Sequence, residues 1–169
     1  MAAPCYIAWN ADTSAATGPP STTATSATSG TVKTILQIKS GSSKIRVIEW
    51  GYGFDVAPAS NVRVELVETG TVFATVTTIG SGIRPYNDVT GSASLAVAGT
   101  SATGFNATAE GAITASRLLG YNYENGLYFK QQFPLGREPE VNASSALRIR
   151  ATPTSNSPVN IWAYCVWEE

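Results

Sequence analysis

The sequence predicts a single all-β domain, a β-sandwich or jelly roll, with an extended N-terminal arm. Three observations predict it. Short runs of alternating apolar and polar residues recur between clusters of Gly, Pro, Ser and Asn. No long run has convincing helical periodicity. The chain has 169 residues, enough for one core that removes roughly 70 % of the unfolded surface from water.

Taken in order, residues 1–31 read as the arm and residues 32–169 as the sandwich. The arm starts partly apolar and ends its first part in Asn10-Ala11-Asp12. From Thr13 to Thr31 every residue is Thr, Ser, Ala, Gly or Pro. Such a tract has little to bury, so it reads as a tether that orders against a neighbour or stays unstructured. The β pattern then begins. Val32, Thr34, Leu36 and Ile38 alternate with Lys33, Gln37 and Lys39. In the run Ile45–Asp55, Ile48, Trp50, Tyr52 and Phe54 share one face at period two. Gly51 and Gly53 on the other face imply a bulge or the close approach of a backbone or ring.

Val62, Val64 and Leu66 alternate with Arg63 and Glu65, and Thr69-Gly70 leads to a β-branched run ending at Ile79. That pair reads as a hairpin. Residues 80–126 carry a weaker signal, with Gly111–Arg117 the best candidate for a short strand. Leu127–Phe133 is a strand stopped by Pro134. Ala146–Thr152 points Leu147, Ile149 and Ala151 inward and Arg148 and Arg150 outward. In Val159–Trp167 both faces are apolar, which implies a central strand or one covered by a partner. About eight strands at this turn-rich spacing, with no helix, are what a sandwich needs.

Composition narrows the function. Hydrophobic residues make up 43 % of the chain and charged residues only 14 %, for a formal net charge of −1. A Thr/Ser-rich β surface explains the charge deficit, and so does a surface shared with other subunits in an assembly. The cations are scattered, so neither a nucleic acid nor a membrane surface is an expected partner. The start has no basic residue or long apolar run and does not read as a secretory signal; no window of about 18 apolar residues predicts a membrane span. Cys5 and Cys165 read as small buried thiols rather than a disulfide framework.

The chain has no histidine. That removes the commonest general base, the Ser-His-Asp and Cys-His arrangements and most zinc sites. No phosphate loop, EF-hand or CxxC pair is present. Glu49, Asp55, Glu65, Glu68 and Glu110 are the carboxylates from which a glycosidase pair would have to come, but isolated strand carboxylates more commonly pair with Arg, here Arg46 or Arg63. No enzymatic activity, catalytic residue, cofactor, metal or small-molecule substrate is expected. Trp9, Trp50, Trp162 and Trp167 raise an alternative, a carbohydrate-binding or host-recognition sandwich. Trp50 reads as core.

Several segments resemble a known family. Gly30–Ile38, Ile48–Phe54, Phe133–Pro139, Leu147–Arg150 and Val166–Glu169 are similar to segments of the small capsid decoration, or minor capsid, proteins of tailed bacteriophages, especially those of actinobacteria. The resemblance spans roughly residues 30–169. It implies a structural virion protein, made in the bacterial cytoplasm and placed on the capsid exterior. It implies a homotrimer that clamps neighbouring major capsid protein subunits. A tail-associated virion domain is the variant reading. The expected protein-interface residues fall in three groups: Tyr6, Ile7 and Trp9 in the arm; Phe133, Leu135, Arg137 and Glu138 in the loop after the Leu127 strand; and Trp162 and Trp167 on opposite faces of the last strand. Arg137 and Glu138 read equally well as a local ion pair that shapes their loop.

Overall fold

In the computed structural model the described residues are 3–11, 22–80, 83–87 and 90–169. They form strands and no helix. In chain order these are β1 Cys5–Trp9, β2 Thr23–Ala24, β3 Lys33–Lys39, β4 Ile45–Phe54, β5 Val62–Glu68, β6 Thr75–Thr78 and β7 Arg84–Pro85. There follow β8 Gly104–Ala109, β9 Arg117–Glu124, β10 Tyr128–Gln132, β11 Glu140–Val141, β12 Ala146–Pro153 and β13 Asn160–Glu168.

The strands make two antiparallel sheets packed face to face, the expected β-sandwich. The first sheet runs β10-β4-β13-β1-β7, with β11 also on β4 and β2 also on β13; the second runs β6-β8-β3-β12-β5-β9. One apolar layer lies between them. The first sheet supplies Trp50, Tyr52, Phe54, Ile161, Ala163, Cys165 and Trp167. The second supplies Leu36, Ile38, Val62, Val64, Leu66, Leu147, Ile149 and Ala151. β13 is central, between β4 and β1, which is why both of its faces are apolar.

Two bulges adjust the expected faces. Opposite β13, Glu49 pairs with Val166 and Val47 with Trp167, so Ile48 is the extra residue. Val47 therefore joins the core, and Ile48 is only half-buried. A second bulge sits at Ile35, because Leu36 pairs with Ile149 and Thr34 with Arg150. Ile35 drops into the core and Thr34 turns to the outer face. Each extra residue shifts the period-two alternation by one, which a regular pattern cannot anticipate.

Three expectations are corrected. Cys5–Trp9, assigned to the arm, is a strand held between β13 and β7. Its own alternation makes this favourable, since Tyr6 and Ala8 reach the core. Of the tract after it, residues 12–21 lie outside the described residues. The hairpin of the 62–66 and 71–79 segments does not form. Both edges of β5 are taken, by β12 and β9, and β6 pairs with β8 instead. The Gly111–Arg117 segment is not a strand; β8 ends before it and β9 starts at its last residue. Gly111 has φ of 73°, which takes it out of any ladder.

Outside the second sheet, a polar brace replaces hydrophobic packing. Arg148 points outward yet is 0 % exposed. Its guanidinium donates to the Glu110 carbonyl at 2.9 Å and to the Val72 carbonyl, and pairs with the Glu110 carboxylate at 3.4 Å. Glu110 in turn accepts from the Thr34 amide and hydroxyl. Burial lowers the Arg148 pKa to about 10, opposed by Glu110, so the group stays charged at neutral pH. Beside it, buried Gln37 donates to the Ala102 and Ala74 carbonyls and accepts from the Ala74 amide. These contacts pin the segments around residues 72–74 and 102–110 over the sheet, so the charges expected at the surface are roofed over.

Removing one partner of a buried pair leaves the other without compensation. Arg148→Ala is therefore expected to destabilise the fold by about 3–5 kcal/mol. Urea denaturation followed by circular dichroism measures this, and an unchanged midpoint would contradict the brace.

Candidate binding surface

The register of the first sheet builds an aromatic row on its outer face. Trp9, Tyr164, Gly51 and Lys130 stand side by side across β1, β13, β4 and β10. Trp162, Gly53 and Tyr128 form the adjacent row. The two glycines make room for rings. A Cβ on Gly51 would lie 2.7 Å from the Tyr164 ring, and one on Gly53 would collide with the indole of Trp162. Both rings therefore lie down on the backbone of β4.

The rings also touch each other. Trp9 lies 4.8 Å from Tyr164 and 5.8 Å from Trp162, centroid to centroid. Tyr128 lies 5.6 Å from Trp162. Trp162 and Tyr164 are within 19° of parallel. Tyr164 is buried, Trp9 and Trp162 are half-buried and Tyr128 is exposed.

A buried carboxylate borders the row. Glu49 accepts from the Tyr164 hydroxyl at 2.6 Å and is paired with Lys130 at 2.8 Å. Burial raises the Tyr164 pKa, and donation to Glu49 raises it further, so its hydroxyl keeps the proton it donates.

A second surface lies on the flank where the sheets meet. β9 is the edge of the second sheet and β10 the edge of the first, and the chain passes directly from one to the other. Six of the ten exposed large apolar side chains among the described residues fall between 118 and 135: Leu118, Tyr121, Tyr123, Leu127, Tyr128 and Leu135. Such residues are normally scattered, so this concentration makes the flank a candidate contact surface. Gly120 lets β9 close over the core, since a Cβ there would stand 2.7 Å from the Trp50 ring. Trp50 is fully buried, and its indole N–H donates to Gln131 on β10 at 3.0 Å.

The sequence-predicted residues divide between these places. Trp9 and Trp162 meet in the aromatic row, and Ile7 lies half-buried on the same face, opposite Val166. Phe133, Leu135, Arg137 and Glu138 extend the flank. Phe133 is tied to β4 through its amide and packs on the core, whereas Leu135 is 97 % exposed. Gly136, with φ of 80°, turns the loop so that the Arg137 amide reaches the Pro134 carbonyl at 2.9 Å. Among the described residues neither Arg137 nor Glu138 is in an ion pair, so the local pair considered for them does not form.

Tyr6 and Trp167 are corrections. They are 2 % and 0 % exposed and lie 6.1 Å apart, ring to ring, inside the sandwich. Alternation sends Tyr6 inward with Ala8, and Trp167 inward with Cys165. Their polar tips still reach outward: the Tyr6 hydroxyl donates to the Ser92 carbonyl and the Trp167 indole to Glu169.

Sequence reasoning missed Tyr128, Lys130 and the apolar residues of β9. The signal for the first two was present, since they alternate outward along β10. For β9 it was hidden by a bulge at Leu119, where Leu66 pairs with Gly120 but Val67 with Leu118.

The carboxylates are dispersed. Glu49 pairs with Lys130, Glu65 with Arg150 and Arg63, Glu68 with Arg117, and Glu110 with Arg148. Among the described residues no group of three or more His, Cys, Asp or Glu side chains is placed to hold a metal. Cys5 and Cys165 are free thiols, and burial raises both their pKa values. Compared with protein-family models, curated proteins and solved structures, the chain matches none.

Gly53→Val is expected to lift Trp162 off the sheet, seen as a red shift in tryptophan emission and a weaker near-ultraviolet circular dichroism signal. Leu135→Ala, at a free loop tip, is expected to change stability by less than about 0.5 kcal/mol, measured by thermal melting.

Proposed function

We propose that this chain is a structural protein of a tailed-phage virion, which binds the capsid exterior as a homotrimer and clamps neighbouring major capsid subunits. The observation that carries this reading is the apolar flank at 118–135. It concentrates exposed Leu and Tyr side chains beside two sheet edges, β9 and β10, each paired on one side only among the described residues. Edges of this kind accept a further strand through main-chain hydrogen bonds, while the side chains anchor it. The resemblance of the motifs to capsid decoration proteins points to the particle, and the low charge fits a surface shared with neighbours.

The opposite flank supports a closed ring. Residues 94–97 cross between Glu169 and β3: the Leu95 amide donates to Glu169, and the Val97 amide to the Lys39 carbonyl. Leu95 and Val97 are exposed there. Two unlike apolar flanks on one chain suit a head-to-tail contact, which closes into a ring when the rotation allows. Three linked copies then bind a shell far more tightly than one.

Light scattering is expected to give a trimer, and the trimer to bind expanded, DNA-free shells saturably. A combined Leu118→Ser, Tyr121→Ser, Leu127→Ser variant is expected to lose trimer formation or shell binding while keeping its fold. A monomer that ignores such shells overturns the reading.

A further inference from the structure

We infer that the outer face of the first sheet is a second binding site, a platform for neutral carbohydrate that stacks pyranose rings on Trp162, Trp9 and Tyr128. It shares Tyr128 with the apolar flank but lies on the sheet's outer face, and it goes beyond the capsid role. Three features of the face carry the assignment.

The first is ring orientation. Gly51 and Gly53 form a floor without side chains, on which Tyr164 and Trp162 lie. A ring lying on backbone presents its π face outward rather than its edge. That face is the negative pole of the aromatic quadrupole. The C–H face of a pyranose is weakly positive and flat, and it stacks there.

The second is continuity. Tyr128 and Trp9 flank Trp162 at 5.6 and 5.8 Å with their planes tilted 34° and 47° from it, so the three rings make one contiguous, angled aromatic surface across β10, β4, β13 and β1.

The third is the polar border. Lys130 and Glu49 stand next to the rings and neutralise each other at 2.8 Å. Gln132 follows Lys130 on the outward alternation of β10 and is exposed. The border thus offers an ammonium and an amide to sugar hydroxyls. Its ion pair adds no net charge, which favours a neutral glycan over an acidic one.

The test is binding to an array of neutral oligosaccharides (cellohexaose, maltohexaose, chitohexaose and galactohexaose) with oligogalacturonate as the acidic control. Titration by tryptophan fluorescence then follows. At least one neutral oligosaccharide is expected to bind and to quench or shift the emission. Trp162→Ala is expected to weaken it by at least about tenfold, the scale of one lost ring contact. Tyr128→Ala, at an exposed position on an edge strand, is expected to weaken it severalfold and keeps the test sound if Trp162→Ala fails to fold. The flank variant Leu118→Ser, Tyr121→Ser, Leu127→Ser is expected to retain sugar binding, so failure of the capsid reading leaves this one standing. No binding to any neutral sugar overturns the inference. So does binding of the acidic control alone, or binding by folded Trp162→Ala or Tyr128→Ala equal to that of the unaltered protein.

Discussion

The burial of Trp50 is the contact on which both surfaces depend. Its ring lies 5.2 Å from Phe129 on β10, and β9 passes over it at Gly120. Its indole N–H reaches Gln131, so the polar atom is satisfied inside. One side chain of β4 therefore holds the edge strands of both sheets. The apolar flank exists because those two edges are brought together. The aromatic row needs the same anchoring, since Tyr128 and Lys130 alternate with Phe129 and Gln131 along one strand. Either surface would lose its geometry if β10 were free to shift register by one residue, because every side chain would change face.

The two faces of the sandwich are finished differently. The outer face of the second sheet is partly roofed by chain, held by Arg148 and Gln37 donating to main-chain carbonyls and by Glu110 accepting from the Thr34 amide and hydroxyl. A charge placed there is compensated in a fixed geometry, and it specifies which segment lies above it. The outer face of the first sheet carries rings held by one another, by the glycine floor and by a single ion pair. Roofing removes a face from solvent, whereas the aromatic row leaves Tyr128 exposed and Trp9 and Trp162 half-exposed.

Glycine explains much of the difference between a plain sheet and a shaped one. Gly51, Gly53 and Gly120 all sit where a ring presses on backbone. On β4 the effect is to turn aromatic side chains flat against the outside. On β9 it is to let an edge strand close over an indole. In each case the absent Cβ is what the neighbouring aromatic occupies.

Much of the fold was legible in the sequence. Alternation in 32–39, 62–66, 127–133, 146–152 and 159–167 located five strands, and the two apolar faces of the last allowed either a central strand or one covered by a partner, of which the structure shows the first. Alternation also placed Trp50 in the core and anticipated rings or a bulge near Gly51 and Gly53. Of the residues at the candidate surfaces, Trp9, Trp162 and Leu135 were singled out from the sequence, because large apolar residues outside the dominant inward pattern stand out. The rest depended on pairing. Bulges at Ile35, Ile48 and Leu119 shift the alternation by one residue, and nothing local announces them. Which edge β5 uses, and that Cys5–Trp9 joins β13, follow from competition between distant strands for the same hydrogen bonds. Tyr6 and Trp167 look like interface residues until their strands are paired, when both prove to fill the interior. Local pattern determines which residues form strands; only the tertiary register, set by long-range pairing and by where a Cβ is missing, decides which side chains face a partner.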